Sequence, residues 1–456
     1  MAALVYLCTS VLFCAIDITQ GRYSPTWESL DTRPLPSWYD DAKIGIFIHW
    51  GVYSVPSIAF GGPGASEWLW HSWDDGEVQM FLRDNYRPGF TYQEFAPMFT
   101  AELFDPLQWV ELFNASGAKY VVLTSKHHDG YALWPSQFSP NWNSMDVGPH
   151  RDIVGDLEEA MRANASHIHF GLYYSILEWF NPAYVRDTVN GTQRYVREKL
   201  IPELQDLVIR YRPEIVWSDG NWAASDSYWN STSFLAWLYN DSPVKDTVLA
   251  NDRWGSNTSN FHGDFWTGAD RYNPGTVVAH KWENCLSLDI QSWGYRRNAR
   301  FKDYLTIREL LTEVVSSISC NGNVLINVGP TKDGSIIPLF EERLRQLGSW
   351  LRVNGEAVYG TRPWKTQKDN ATGDVWYTTS KDRRFVYAFV LKWPEKNRLV
   401  LGNVRLTSGS RVSMLGYKQK LAYGRNADKA VIYFPTLSVN ELPSLWCWVI
   451  KIEGVF

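Results

Sequence analysis

Two acidic residues in the central part of the sequence lie at the ends of predicted strands. Asp219 follows the apolar run 215–218, and Glu283, 64 residues later, follows the run 277–281. Each has an ordinary alternative, because Asp219 could begin an Asp-Gly turn and Glu283 could pair with a nearby Lys or Arg. Together, two carboxylates at strand ends in an aromatic-rich chain match the needs of glycoside hydrolysis, which uses one ionised and one protonated carboxyl group.

The neighbours of these two carboxylates would separate their pKa values. Trp282 could raise the pKa of Glu283 by excluding water, whereas Arg253 could keep Asp219 charged. This difference would separate the acid, Glu283, from the nucleophile, Asp219.

Three histidines, His49, His127 and His128, follow two of the predicted strands. They could be structural histidines or metal ligands, but the sequence contains no HExxH segment and no Cys/His set with zinc spacing. Because a neutral imidazole both donates and accepts hydrogen bonds, binding of sugar hydroxyls is the favoured interpretation. We expect no metal and no organic cofactor.

Tryptophan is abundant, with 24 residues in a chain of 456. Its flat amphipathic ring packs in cores and also lines sugar sites, and core packing takes the larger share here. Glu67 and Trp68 pair an acceptor with an aromatic plate, which suits a sugar site, although the pair could equally be a buried loop anchor.

Short β-branched or aromatic runs alternate with amphipathic stretches between residues 43 and 330, which predicts parallel strands joined by crossover helices. The predicted strands are 44–49, 120–125, 169–174, 215–218, 247–251, 277–281 and 323–328. The predicted helices are 152–164, 192–211, 234–239, 306–318 and 340–353. The predicted fold class is α/β, with a (β/α)8-like (TIM-type) barrel whose strand ends converge on one cleft.

From about residue 374 the pattern changes to strands separated by turns. These strands are 375–379, 385–391, 399–404, 412–415, 430–434 and 446–452. They predict a C-terminal antiparallel β-sandwich. We therefore expect a signal peptide at 1–21, a catalytic barrel at 22–358 and a sandwich at 359–456, the last two packed against each other.

The first segment resembles a secretory signal sequence. Residues 2–16 form an uncharged run of 15 residues, which fits a signal sequence better than a membrane span. Seven N-x-S/T sequons agree with this route and begin at Asn114, Asn164, Asn190, Asn230, Asn240, Asn257 and Asn370. The predicted location is lysosomal or extracellular, and the cysteines left after cleavage, Cys285, Cys320 and Cys447, could form at most one disulfide.

Composition excludes several classes of protein and partner. Hydrophobic residues make up 45% and charged residues 20%, which excludes a disordered, collagenous or coiled-coil chain. The formal charge of −5 and the lack of a basic block argue against a nucleic-acid partner. A homo-oligomer remains open.

Six segments together resemble the α-L-fucosidases, a family of retaining glycoside hydrolases. They are Gly-Ile-Phe-Ile-His-Trp-Gly (45–51), Ser-Glu-Trp (66–68), Thr-Ser-Lys-His-His-Asp-Gly (124–130), Trp-Ser-Asp-Gly (217–220), Asn-Asp-Arg-Trp-Gly (251–255) and Ser-Trp-Gly-Tyr (292–295). The resemblance runs from about residue 25 to residue 360, and the expected sandwich is like the family's.

The resemblance implies roles for individual residues. Asp219 would attack the anomeric carbon, and Glu283 would protonate the leaving oxygen and then activate water, with Glu67 as its rival. The implied sugar-binding residues are His49, Glu67, Trp68, His127, His128, Tyr173, Trp217, Arg253 and Trp293. Among them, Trp217 and Trp293 would face the C5 methyl group of fucose, because a methyl in place of a hydroxymethyl favours an apolar wall.

The predicted function is that of an exo-acting α-L-fucosidase that forms a covalent fucosyl-aspartate and acts on fucosylated glycoproteins, glycolipids and oligosaccharides. One alternative is a catalytically weak, lectin-like fucose-binding protein of the same fold. Another is a retaining glycosidase for a different sugar.

Overall fold

The computed structural model describes residues 21–60, 65–426 and 428–455. The predicted signal peptide therefore lies outside the described residues, apart from its last position. The α-helices are α1 (Trp27–Leu30), α2 (Ser37–Ala42), α3 (Gly76–Asn85), α4 (Pro106–Ser116), α5 (Ile153–Asn164), α6 (Pro182–Asn190), α7 (Ile201–Tyr211), α8 (Asp226–Trp229), α9 (Ser231–Asn240), α10 (Ile307–Ser319) and α11 (Pro338–Asn354).

Seven parallel strands form a curled half-barrel in the first part of the chain. They are β1 (Ile44–Ile48), β2 (Tyr120–Lys126), β3 (His169–Ser175), β4 (Ile215–Asp219), β5 (Leu249–Ala250), β6 (Trp282–Ser287) and β7 (Gly322–Val328). Their order in the sheet is β5-β4-β3-β2-β1-β7-β6, so β5 and β6 are the edges. This confirms the α/β barrel class, with seven strands where the ideal barrel has eight.

A short irregular segment joins the two edges of the sheet. The Asp264 amide donates to the Ala250 carbonyl of β5 at 3.0 Å. Two residues later, the Trp266 carbonyl accepts from the Glu283 amide of β6 at 2.8 Å. Residues 264–266 thus occupy the place of an eighth strand without forming one.

Side-chain alternation divides each strand between the barrel interior and the helices. On β4, Ile215 and Trp217 belong to the interior cluster, whereas Val216 packs in the outer core with the helices. Since successive strand residues point to opposite faces, Asp219 also points inward, at the carboxyl end. Position in the strand therefore decides whether an inward side chain lies at the mouth or at the base of the barrel.

One predicted strand was wrong, and the error moves a predicted site residue. The run 277–281 is not a strand, and β6 begins only at Trp282. Glu283 is therefore near the beginning of β6 and not after the end of a strand. Two valines suggested a strand at 277–278, but Val277 is exposed, whereas the buried strand is the polar sequence Trp-Glu-Asn-Cys-Leu-Ser. The other six barrel strands lie within two residues of their predicted bounds.

Two antiparallel sheets follow the last helix. The strands are β8 (Arg362–Lys368), β9 (Val375–Thr379), β10 (Phe385–Val390), β11 (Arg398–Leu401), β12 (Leu406–Met414), β13 (Ala422–Asn426), β14 (Lys429–Tyr433) and β15 (Trp448–Val455). One sheet has the order β12-β15-β10-β9-β8 and the other the order β11-β14-β13. Apolar side chains from both sheets form one buried cluster, which is the packing of a β-sandwich.

The sandwich shares a hydrophobic core with the barrel helices. The indole Nε1 of Trp350, on α11, donates to the Cys447 carbonyl at 2.8 Å. The rings of Trp350 and Phe389, on β10, have centroids 6.2 Å apart. Trp376 and Val449 belong to the same buried cluster as the barrel strands and helices.

None of the helices within the described ranges combines the length and the hydropathy that a membrane crossing requires. Cys285, Cys320 and Cys447 are buried free thiols.

Candidate active site

A cavity of about 340 Å³ lies at the carboxyl ends of the parallel strands. Nine of the predicted site residues line it: His49, Trp68, His127, His128, Tyr173, Trp217, Asp219, Arg253 and Trp293. Its size is at the lower end for small-molecule sites and suits a single sugar ring. The cavity lining does not include Glu67 or Glu283.

Asp219 is held by one donor on each carboxylate oxygen. The Tyr173 hydroxyl donates to Oδ2 at 2.9 Å, and Nη1 of Arg253 donates to Oδ1 at 3.0 Å. The next residue, Gly220, has a φ of 86°, so the chain turns away from the sheet directly after Asp219. The Asp219 side chain is 12% exposed and borders the cavity. A fixed carboxylate beside a cation is suited to nucleophilic attack.

Asp270 is a second carboxylate in the cavity, and no sequence pattern had predicted it. Its Oδ1 accepts from Nη2 of Arg253 at 2.7 Å, so one guanidinium holds both Asp219 and Asp270. The partial removal of Asp270 from water opposes its charge, but the Arg253 cation outweighs this effect and lowers the pKa of the Asp270 carboxyl. Retaining glycosidases need two carboxyl groups close together, and the shared guanidinium brings Asp219 and Asp270 to neighbouring positions.

The position of Asp270 follows from the irregular segment that joins the barrel edges. Residues 264–266 run beside β5 and β6, so residue 270 comes after the carboxyl end of that segment, at the mouth of the barrel. The segment has no β pattern that would have predicted it. The signal that could have found Asp270 was the expectation of an eighth barrel strand between residues 251 and 282.

Glu283 lies at the base of the barrel and not in the cavity. Its Oε2 accepts from the hydroxyls of Tyr39 at 2.7 Å and Tyr120 at 2.6 Å, and its Oε1 accepts from the Trp217 indole at 3.0 Å. The residue is 1% exposed. Burial raises the pKa of the Glu283 carboxyl even though these three donors oppose the shift. Cys285, two residues further along β6, lines the cavity, where Glu283 had been predicted.

Glu67 holds a loop behind the cavity wall. Its carboxylate accepts from the Ser292 hydroxyl at 3.1 Å and from the amides of Trp293 at 3.2 Å and Gly294 at 2.9 Å. Burial raises the pKa of Glu67, and the amide donors oppose that change. In this arrangement Glu67 anchors the segment that places Trp293 in the cavity wall. This is the role of a buried loop anchor, the alternative given above for Glu67.

The hydrogen bonds of Asn327 fix the tautomer of His49. The Asn327 amide nitrogen donates to the Trp293 carbonyl at 2.7 Å, so its oxygen faces His49 Nδ1, 2.8 Å away, and must accept. His49 Nδ1 therefore carries the proton, and Nε2 is left with a free lone pair. Burial lowers the pKa of His49 to about 4, so the ring stays neutral in mildly acidic solution.

His128 has the same tautomer for a different reason. Ser175 donates its only hydroxyl proton to the Leu177 carbonyl at 2.5 Å, so His128 Nδ1, 2.6 Å from Ser175 Oγ, must be the donor. Its Nε2 then faces Asp219 Oδ2 at 3.6 Å, acceptor to acceptor. Burial lowers the pKa of His128 to about 4. A hydroxyl group placed between these two acceptors can donate its single proton to one of them.

His127 completes the polar side of the cavity. Its ring is nearly parallel to that of Tyr173, with centroids 5.7 Å apart. Burial is the main reason that its pKa is well below the usual value. Among the described residues its Nδ1 has no hydrogen-bond partner. Such a buried unpaired nitrogen costs folding free energy, and its place beside the cavity fits a role in binding.

Aromatic rings form the apolar wall of the cavity. Phe47 contacts Trp217 with centroids 5.3 Å apart and Trp293 with centroids 6.0 Å apart. All three line the cavity, which therefore has an apolar patch beside its polar residues. Across the described ranges, no three His, Cys, Asp or Glu side chains are grouped as metal ligands.

Comparison with known proteins gives two matching family models. A family model described as alpha-L-fucosidase matches residues 10–356, and one described as the alpha-L-fucosidase C-terminal domain matches residues 367–453. An alpha-L-fucosidase of Branchiostoma floridae is 55% identical over 96% of this chain and 97% of its own length. The human plasma alpha-L-fucosidase is 51% identical over 95% of this chain and 93% of its own length.

Solved structures lead to the same family. A Thermotoga maritima alpha-fucosidase in complex with fucose has a TM-score of 0.81 and 33% identity, over 94% of this chain and 100% of that one. The relatives are named as enzymes, which favours the hydrolase interpretation over the lectin-like alternative. The chain belongs to the α-L-fucosidase family of glycoside hydrolases.

Proposed function

We propose that the chain releases terminal α-L-fucose by double displacement, with Asp219 as nucleophile and Asp270 as acid and base. An Asp219 oxygen bonds to the anomeric carbon while the glycosidic C–O bond breaks and Asp270 gives its proton to the leaving oxygen. Asp270 then takes a proton from water, whose oxygen displaces Asp219 from the sugar. The observation that carries this proposal is the single Arg253 guanidinium that holds both carboxylates in one cavity.

Asp270 must gain a proton before it can act as an acid. Arg253 keeps the pKa of Asp270 low, and the side chain is 45% exposed. A bound substrate would cover this side chain and remove water from it, which disfavours its charged form. The acid role therefore requires that substrate binding weaken the ion pair between Asp270 and Arg253.

The polar and apolar sides of the cavity would orient the sugar ring. His49 and His128 each offer an Nε2 acceptor to a hydroxyl group, and the acceptor pair of His128 and Asp219 suits the hydroxyl beside the anomeric carbon. The wall of Phe47, Trp217 and Trp293 would face the C5 methyl group. An apolar wall discriminates against a hydroxymethyl group, although only by a few kcal/mol.

The natural substrates in this proposal are fucosylated glycoproteins, glycolipids and oligosaccharides, met in the lysosome or outside the cell. The proposed leader at 1–21 and the plasma and tissue names of the relatives support that location. Six of the seven sequon asparagines are exposed: Asn114, Asn164, Asn190, Asn230, Asn257 and Asn370. Asn240 is half-buried. Its side-chain oxygen accepts from the Tyr23 amide and its side-chain nitrogen donates to the Tyr23 carbonyl, so we leave it out of the proposed glycosylation sites.

One reagent tests both carboxylate roles. In Asp219→Gly, azide should replace the nucleophile and give fucosyl azide of inverted configuration from an activated aryl fucoside. In Asp270→Ala, azide should attack the fucosyl-enzyme and give the azide of retained configuration. Asp246→Asn, at an exposed carboxylate away from the cavity, is the control and should give no azide product.

The configuration of the products decides the assignment. A retained azide from Glu283→Ala, with none from Asp270→Ala, would return the acid role to Glu283. The absence of any azide product from Asp219→Gly would remove Asp219 as the nucleophile.

A further inference from the structure

The residues that line the cavity fall into a buried floor and an exposed mouth. His49, Tyr173 and Trp217 are almost fully buried, and so are the other polar residues around Asp219. By contrast, Trp222 is 47% exposed although it lines the same cavity, and the Asp270 side chain is 45% exposed. In an exo-acting enzyme the terminal sugar occupies the floor, so the group that leaves must pass the mouth.

Trp222 is fixed in place at that mouth. It lies in the short 3₁₀ turn Asn221–Ala223, which begins two residues after Asp219. Its ring is within 22° of parallel to that of Trp68, with centroids 6.1 Å apart, and meets His128 edge-on at 5.2 Å. These two contacts use part of the ring surface, and nearly half of the residue remains open to solvent.

An exposed indole held rigidly at a cavity mouth is suited to one kind of ligand. Burial of a large exposed aromatic side chain by a ligand is favourable, and little conformational entropy is lost because the ring is already fixed. A pyranose ring presents a patch of C–H groups on one face that can cover an indole, while its hydroxyls remain available to water and to polar neighbours. Asn221 and Ser259 are such polar neighbours in the cavity lining.

We propose that Trp222 is the platform of a leaving-group subsite that binds the sugar to which the fucose is attached. This inference rests on the proposed function, because it takes the floor of the cavity as the fucose site and Asp270 as the group beside the leaving oxygen. The subsite selects a pyranose by its apolar face and not by a specific pattern of hydroxyls. It therefore predicts a preference for sugar leaving groups over leaving groups without a ring.

The test compares two substrates that share fucose and differ in the leaving group. α-L-Fucosyl fluoride has no ring to stack, whereas α-L-fucosyl-(1→2)-galactose carries a pyranose. Trp222→Ala should lower kcat/KM for the disaccharide about tenfold, as expected for the loss of one aromatic stacking surface, and leave the fluoride within about twofold. Trp222→Phe should recover most of the disaccharide activity. The control, Phe301→Ala, removes a 77% exposed ring that does not line the cavity and should change neither substrate.

Two results would overturn the subsite. An equal loss on both substrates would mean that Trp222 only supports His128 and Trp68, and no loss on either would mean that the leaving sugar does not touch it. Failure of the proposed catalytic roles would give a different result: Asp219→Gly would still hydrolyse fucosyl fluoride at the wild-type rate. In that case the subsite proposal would fail together with the catalytic roles.

Discussion

Replacement of Glu283 by alanine should damage the fold of the barrel base without affecting proton transfer. The carboxylate accepts from Tyr39, Tyr120 and Trp217, and all three donors are buried. Each buried donor that loses its partner costs about 1–3 kcal/mol, and the two tyrosines can compensate each other in part, so we expect a loss of about 2–6 kcal/mol in the free energy of unfolding.

The pH dependence of this loss has a definite sign. The pKa of Glu283 is raised in the folded protein, so its contribution to stability is fully present below its unfolded pKa and declines as pH rises through the folded value. The difference between wild type and Glu283→Ala should therefore be larger at pH 4 than at pH 8. Urea unfolding at the two pH values, followed by tryptophan fluorescence, measures it.

Kinetics of the same variant separate a structural role from an acid role. Because the Trp217 ring lines the cavity and is held by Glu283, activity should fall by a similar factor on an activated aryl fucoside and on a disaccharide. A general acid instead contributes about 10²- to 10⁴-fold, chiefly with poor leaving groups. If Glu283→Ala unfolded like the wild type and lost activity only on the disaccharide, the reasoning would be refuted and Glu283 would be the acid.

Two further substitutions test the site, and a third tests a buried carboxylate that does not line the cavity. Tyr173→Phe removes one hydrogen bond to the charged Asp219, worth about 1.5–3 kcal/mol, so kcat/KM should fall roughly 10- to 100-fold with little change in unfolding. Asn327→Asp places a carboxylate against His49 Nδ1 and should raise the pKa of His49 from about 4, so that the acid limb of the pH profile of kcat/KM moves to higher pH. Burial raises the pKa of Asp129 to about 6. Its contribution to stability is present below pH 4, and about 3 kcal/mol of that contribution is lost as pH rises through 6. Asp129→Asn should show no such decline in urea unfolding.

The sequence was most informative where a residue stands at the end of an apolar strand. Asp219 and His49 each terminate a buried run, and parallel strands bring such ends together regardless of their distance along the chain. The same logic failed for Glu283, because the strand that carries it mixes polar and apolar residues and the pair of valines before it looked more like a strand. Asp270 follows an irregular segment that hydrogen-bonds to two strands without forming a ladder, so no local pattern marks it.

The sandwich strands that went unpredicted have a shared cause. β8 (Arg362–Lys368) and β13 (Ala422–Asn426) are edge strands, and each has a partner on one side only. Their side chains are intermediate or exposed throughout, so the alternation of buried and exposed residues that reveals a strand is missing.

The hydrophobic contact between α11 and the sandwich has a consequence for how the protein can be divided. Trp350 hydrogen-bonds to Cys447 and packs on Phe389, so a chain ended at residue 358 would present a large apolar surface to water. We expect such a truncated barrel to aggregate, and the intact chain to melt in a single calorimetric transition in spite of its two topologies. Insertions and deletions during the history of this chain would then be tolerated in the loops of either part far more easily than at the junction between them.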